Sequence, residues 1–82
     1  MASTSEPLRE ATAEVFTSWI AAAAERFAAG GIDDRTAREL AITMFCALEG
    51  AFILARALRT TEPLHVAGEA MAARMQAALP AG

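Results

Sequence analysis

Residues Leu40–Leu58, LAITMFCALEGAFILARAL, form a run nearly as apolar as a membrane span, interrupted by Glu49, Gly50 and Arg56. At helical spacing Leu40, Met44, Phe45, Leu48, Phe52, Ala55 and Leu58 share its centre with Ile42, Ile53 and Leu54 on other sides. A helix that is apolar all round has to be buried over most of its circumference. A chain of 82 residues hides only about 60% of the surface its unfolded form exposes, which leaves few ways to cover such a helix from within. A second copy of the chain is the expected cover.

The same run is long enough to span a bilayer core. Glu49 near its middle and Arg56 further on would each cost roughly 2.5–3.5 kcal/mol to insert, and much of the rest is alanine, which is barely hydrophobic. The expectation is therefore a protein-buried helix and no membrane partner. The opening MASTSEPLRE is polar and carries no apolar stretch of signal-peptide length. Together with the single cysteine, which excludes an internal disulfide and suits a reducing compartment, this points to the cytoplasm.

Alanine supplies about a quarter of the residues, tyrosine is absent and β-branched residues are few, a composition that favours helix. The fold class expected is all-α. All seven basic residues are arginine, and the formal net charge is −3. Phosphate neutralisation drives much of nucleic-acid binding, and neither this balance nor any cluster of the arginines offers a basic stripe.

Three helices are punctuated clearly. The first is predicted over about 7–29: Ser5 or Thr4 caps it, Glu6 complements the positive helix end, Pro7 stands where no N–H is needed, and Gly30-Gly31 stops it. Leu8, Val15, Phe16, Trp19, Ile20, Ala23 and Phe27 recur at steps of three and four and predict one buried face. The second helix runs over about 34–59 after Asp33 or Asp34, and is the central element. Gly50 inside it costs about 1 kcal/mol relative to alanine, which implies a packing reason. The third is predicted over about 62–79, opened by Thr60 or Thr61 with Glu62 and Pro63, with Leu64, Ala67, Gly68, Met71, Met75, Ala78 and Leu79 as its buried face. Short connections make the three an antiparallel unit.

Chemistry-bearing residues are sparse. His65 is the lone histidine and Glu69 the only candidate co-ligand four residues on, so His65 reads as a surface residue and no metal is expected. Cys46 has no neighbouring base and reads as buried and inert. Glu49 and Arg56 stand two helical turns apart, too far for a pair within one helix, so each reaches solvent or a partner on another helix or subunit. No Gly-rich phosphate loop, catalytic triad or paired acid is present, and neither catalytic residues nor a cofactor are expected. Phe16, Trp19, Phe27, Phe45 and Phe52, with Met44, Met71 and Met75, form either ordinary core or the lining of an apolar small-molecule pocket.

The order of these features resembles the C-terminal regulatory half of TetR-family transcriptional repressors, in the LmrA/YxaF-like branch. The residues that carry the likeness are L-E-G-A at Leu48–Ala51, A-R-A at Ala55–Ala57 and T-E-P-L at Thr61–Leu64. The resemblance implies a homodimer built on an intersubunit four-helix bundle of the second and third helices, with Ala47, Gly50, Ala51, Leu54, Leu58 and Ala70 at the interface. It implies a pocket for a small apolar effector beside the first two helices, near Phe16, Trp19, Met44, Phe45 and Phe52. DNA would be reached only through a helix-turn-helix domain that these 82 residues do not contain. The alternative function is a free-standing helical module that titrates a full-length regulator by heterodimerisation.

Overall fold

A computed structural model describes residues 5–80. Helix α1 spans Glu6–Ala29, α2 Asp34–Leu58 and α3 Glu62–Ala78, and no strand occurs among the described residues. The fold is all-α.

Each helix end has an identifiable cause. The Ser5 hydroxyl accepts the Leu8 N–H at 3.2 Å and Pro7 sits in the first turn of α1; Thr4, the other candidate cap, lies outside the described residues. At the far end Gly31 takes φ 106°, while Gly30 keeps an ordinary φ of −83°. Asp33 caps α2 by accepting the Thr36 N–H at 3.2 Å. The Thr36 hydroxyl, and after it the Thr36 N–H, hold the Asp33 carboxyl below its ordinary value of 3.8. Because the folded value is the lower one, this cap contributes fully above the unfolded pKa and its contribution is lost as pH falls through the folded pKa. Helix α2 stops at Leu58 because Arg59 adopts the left-handed conformation (φ 57°, ψ 46°) and Thr60 N–H closes on the Ala55 carbonyl at 3.1 Å. Thr60 then accepts the Glu62 N–H with its hydroxyl at 3.2 Å, while Thr61, at the cap position of α3, makes no side-chain cap bond.

Both flanking helices pack on α2 and not on each other. Trp19 stacks on Phe45 and Phe27 reaches the Ala37–Leu40 turn, so α1 and α2 run in opposite directions. Leu64 lies beside Leu48, and Met75 and Ala78 pack near Leu40 and Ala37, so α3 reverses again. The small core sits at the end where all three meet. Ile32, Ala37 and Leu40 are buried there under Ala24, Phe27, Ala28, Met75 and Ala78, and Leu40 is fully buried. Pro80 closes this end over Gly31, where an added Cβ would stand 2.9 Å from its ring.

Away from that end the helices spread into a slab measuring 49 × 32 × 15 Å. Its thinnest dimension is little more than one helix diameter, about 10–12 Å. The radius of gyration is 15.1 Å, against about 12 Å for a compact chain of this length. The accessible surface of 6064 Å² likewise exceeds the roughly 4,700 Å² expected for a compact monomer of this mass.

The predicted buried face of α1 is corrected by this geometry. No residue of α1 is fully buried, and Leu8 and Val15 are exposed, because α1 covers only the first half of α2 and departs beyond the Trp19–Phe45 contact. On α3, Gly68 and Leu79 are exposed where burial was expected.

Leu40→Ala is expected to cost about 3 kcal/mol, the usual range for emptying a filled core site. Gly31→Ala should cost about 2 kcal/mol from the positive φ and the Pro80 contact. Thermal melts followed by circular dichroism measure both, and Leu8→Ala, at a side chain 64% exposed in the first turn of α1, serves as the control.

Candidate functional site

Two surfaces of α2 remain open, and they differ in character. One carries aromatic side chains. Phe16 meets Trp19 edge-on with ring centroids 5.4 Å apart, and Trp19 stacks on Phe45 at 6.0 Å; contacts of this kind contribute about 0.5–1.5 kcal/mol beyond their area. Phe16 and Phe45 are half-buried, whereas Trp19 is 49% exposed. Three of the five residues expected to line a pocket are therefore brought together.

The other two stand apart. Met44 turns to the groove between α2 and α3, a space of about 200 Å³ that it shares with Ala47, Leu48, Leu64, Gly68 and Met71. Phe52 is 54% exposed and lies next to Glu49, Ile53 and Arg56 along an open hollow of about 410 Å³ on α2. Phe52 is two turns beyond Phe45 on nearly the same side, so distance along α2 sets it apart; for Met44 the cause is angular. Met44 and Phe45 are one residue apart and so diverge by about 100° around the helix, which sends one toward α3 and the other toward α1.

The second open surface is made of small residues. Cys46, Ala47, Gly50, Ala51 and Leu54 of α2 line a hollow of about 300 Å³ with Pro63, Val66 and Ala67 of α3. Four of the six residues expected at a subunit interface, Ala47, Gly50, Ala51 and Leu54, fall here. Ala51 is already buried between α2 and α3 and offers little area to another chain. Leu58 and Ala70 are exposed, Leu58 at the end of α2 and Ala70 one turn beyond Val66 on α3.

Two details of this surface were not read from the residues. Cys46 is exposed, not buried, because it stands at the open edge of the α2–α3 hollow and neither flanking helix covers it. A Cβ added to Gly50 would meet nothing within 4 Å. The propensity cost of a glycine in mid-helix, about 1 kcal/mol, has no return inside the chain. Pro63 and Ala67 were read only as helix opener and buried face, and Val66 carried no signal; the α2–α3 turn places all three beside Gly50.

Polar chemistry adds little. Among the described residues no group of three His, Cys, Asp or Glu side chains is positioned for a metal ion, and His65 is exposed at the start of α3. Helix α2 is the one described helix with the length and composition to cross a membrane, though only 17% of its most apolar window is buried.

A family model for the C-terminal domain of LmrA/YxaF-like transcriptional regulators matches residues 1–70. The chain belongs to this TetR-family group. Two relatives of the LmrA/YxaF-like domain, uncharacterized HTH-type transcriptional regulators from two strains of Mycobacterium tuberculosis, are each 38% identical to it over 74 residues. The match takes in 90% of this chain and 38% of each relative, so the domain spans well under half the length of the regulators it resembles. No solved structure gives a significant match.

Within this LmrA/YxaF-like domain Trp19 is the single tryptophan and reports directly on the aromatic cluster. Phe45→Ala should move its fluorescence emission to longer wavelength and lower stability by about 1–2 kcal/mol, less than Leu40→Ala. Emission spectra and melts of the variant check both.

Proposed function

We propose that this chain is the dimerisation and effector-responsive regulatory domain of a TetR-like transcriptional repressor, cytoplasmic, without enzymatic activity and not itself a DNA-binding unit. Gly50 carries the reading. Nothing in the chain needs its missing side chain, yet it sits in the middle of an open apolar surface formed by α2 and α3. A flat face of small residues permits close approach of another pair of helices, and two such faces related by a twofold axis make a four-helix bundle. The excess surface of the slab, about 1,400 Å² per chain, is of the size that an obligate dimer interface removes from each partner.

In this reading Gly50, Leu54 and Ala70 meet the second copy, with Ala47, Ala51 and Leu58 around them. A small apolar effector is taken up on the other surface, by Phe16, Trp19 and Phe45 on the α1 side, with Phe52 at its outer edge; Met44, turned into the α2–α3 groove, stands outside this set. Charge supports the division of labour, since a formal net charge of −3 leaves DNA to a helix-turn-helix domain of the full regulator. Because α1 and α3 both rest on α2, an effector that shifts α1 against α2 also biases how two copies of α2 cross, and with it the separation of the DNA-binding domains.

Sedimentation equilibrium at micromolar concentration is expected to give twice the chain mass of 8.6 kDa. Gly50→Leu should keep or raise helicity, because it removes a poor helix former, and weaken self-association at least tenfold. A folded wild-type monomer at tens of micromolar contradicts the reading.

A further inference from the structure

Glu49 and Arg56 are the two charges set into the apolar run of α2, and the geometry around them selects one arrangement of the dimer. Among the described residues the ion pairs are Glu6–Arg9 and Arg35–Glu39, both between exposed neighbours on one helix. Neither Glu49 nor Arg56 joins one. Both are exposed, they flank the hollow lined by Phe52, Ile53 and Ala57, and two turns, about 10 Å of helix, separate them.

Cys46, Gly50, Ile53 and Ala57 follow one another at steps of four, three and four, the spacing of a seam along which two helices pack. Ile53 on this seam is 67% exposed, the most of any large apolar side chain among the described residues. Glu49 and Arg56 share the column that flanks the seam on the side away from α3. The opposite flank holds Ala47 and Leu54, which turn toward α3. When two identical helices pack in parallel, each flank faces the other's opposite flank, and both charges would lie against Ala47 and Leu54. When they pack antiparallel, a flank faces its own column reversed. A centre between Phe52 and Ile53 then sets position 49 opposite position 56 on both sides at once.

We propose, building on the dimer reading above, that α2 packs antiparallel on α2 of a second copy with the twofold axis beside Ile53, so that Glu49 of each copy pairs with the partner's Arg56. The overlap covers about three turns, residues 47–58, and the α3 face supplies the remaining contact. The acid and the base stand equally far from the axis, so the pattern is complementary to itself in this register and one orientation. A shift of one turn brings like charges closer or strands both. The pair contributes little bulk affinity at an exposed rim; it selects partner and orientation. Regulators that carry the same apolar face with other charges in this column are thereby disfavoured as partners.

The test is charge exchange on the whole chain, read by sedimentation equilibrium and native mass spectrometry. By symmetry Glu49→Arg places two like-charge contacts in the homodimer, as does Arg56→Glu, and each is expected to weaken self-association at least tenfold with helicity unchanged. Mixed one to one, the two variants should form a heterodimer with wild-type affinity, and the doubly exchanged chain E49R/R56E should self-associate as the wild type does. Wild-type self-association should weaken as salt is added, and that dependence should vanish in Glu49→Gln/Arg56→Gln. Full dimerisation by both single variants, or no preference for the mixed dimer, overturns this register while leaving the dimer itself standing. A monomeric wild type removes both.

Discussion

Everything in this chain depends on how the circumference of α2 is covered. The helix is apolar on nearly every side between Leu40 and Leu58, and two helices can shield only the sectors they touch. Helix α3 follows one sector along much of its length, and α1 covers a second sector only near the start. What remains is a strip with Cys46, Gly50, Ile53 and Ala57 facing outward, and a small buried core around Leu40 at one end. A core of that size gives a marginal fold, as expected for a short chain with a single cysteine and hence no internal disulfide. In the proposed dimer, burial of the outer strip between two copies contributes to folding as well as to assembly.

The two open sides of α2 suit different tasks because their residues differ in size and shape. Small side chains on the Gly50 side let helical backbones approach closely and give a close fit between fixed partners. Aromatic side chains on the other side leave irregular spaces between their rings that suit a flat apolar ligand. A slab one helix thick puts these two sides in direct mechanical contact through α2. In the proposed regulator no long relay is needed: the element that touches effector is also the element that sets the crossing of the subunits.

Caps and stops were legible because they are local chemistry. Ser5, Asp33 and Gly31 act within three or four residues of themselves, and the hydrogen bonds found at Ser5 and Asp33 are the ones their side chains imply. The centrality of α2 was legible for a related reason, since its apolar excess is a property of one segment. Coverage was not. A periodic apolar face records that something packs there, without recording whether the cover comes from the same chain; α1 shows the pattern of a buried face and keeps Leu8, Val15 and Trp19 largely in the open. Cys46 was assigned to the interior for its chemistry and lies outside by its angle on the helix. The aromatic cluster was half legible: Phe16, Trp19 and Phe45 converge because α1 and α2 are antiparallel around a short turn, whereas Met44 diverges by its place on the wheel and Phe52 by standing two turns further along α2. Arg59 in the left-handed region had no signal in the residues, because that position usually favours glycine.

The central claim is that α2 is finished by a second copy of itself, and the concentration dependence of unfolding tests it most directly. Thermal melts at chain concentrations from one to several hundred micromolar should show a midpoint that rises steadily with concentration, as linked dimerisation requires. A cooperative transition whose midpoint stays fixed over that whole range would mean that the helix is stable with its small-residue side in water, and would contradict the claim.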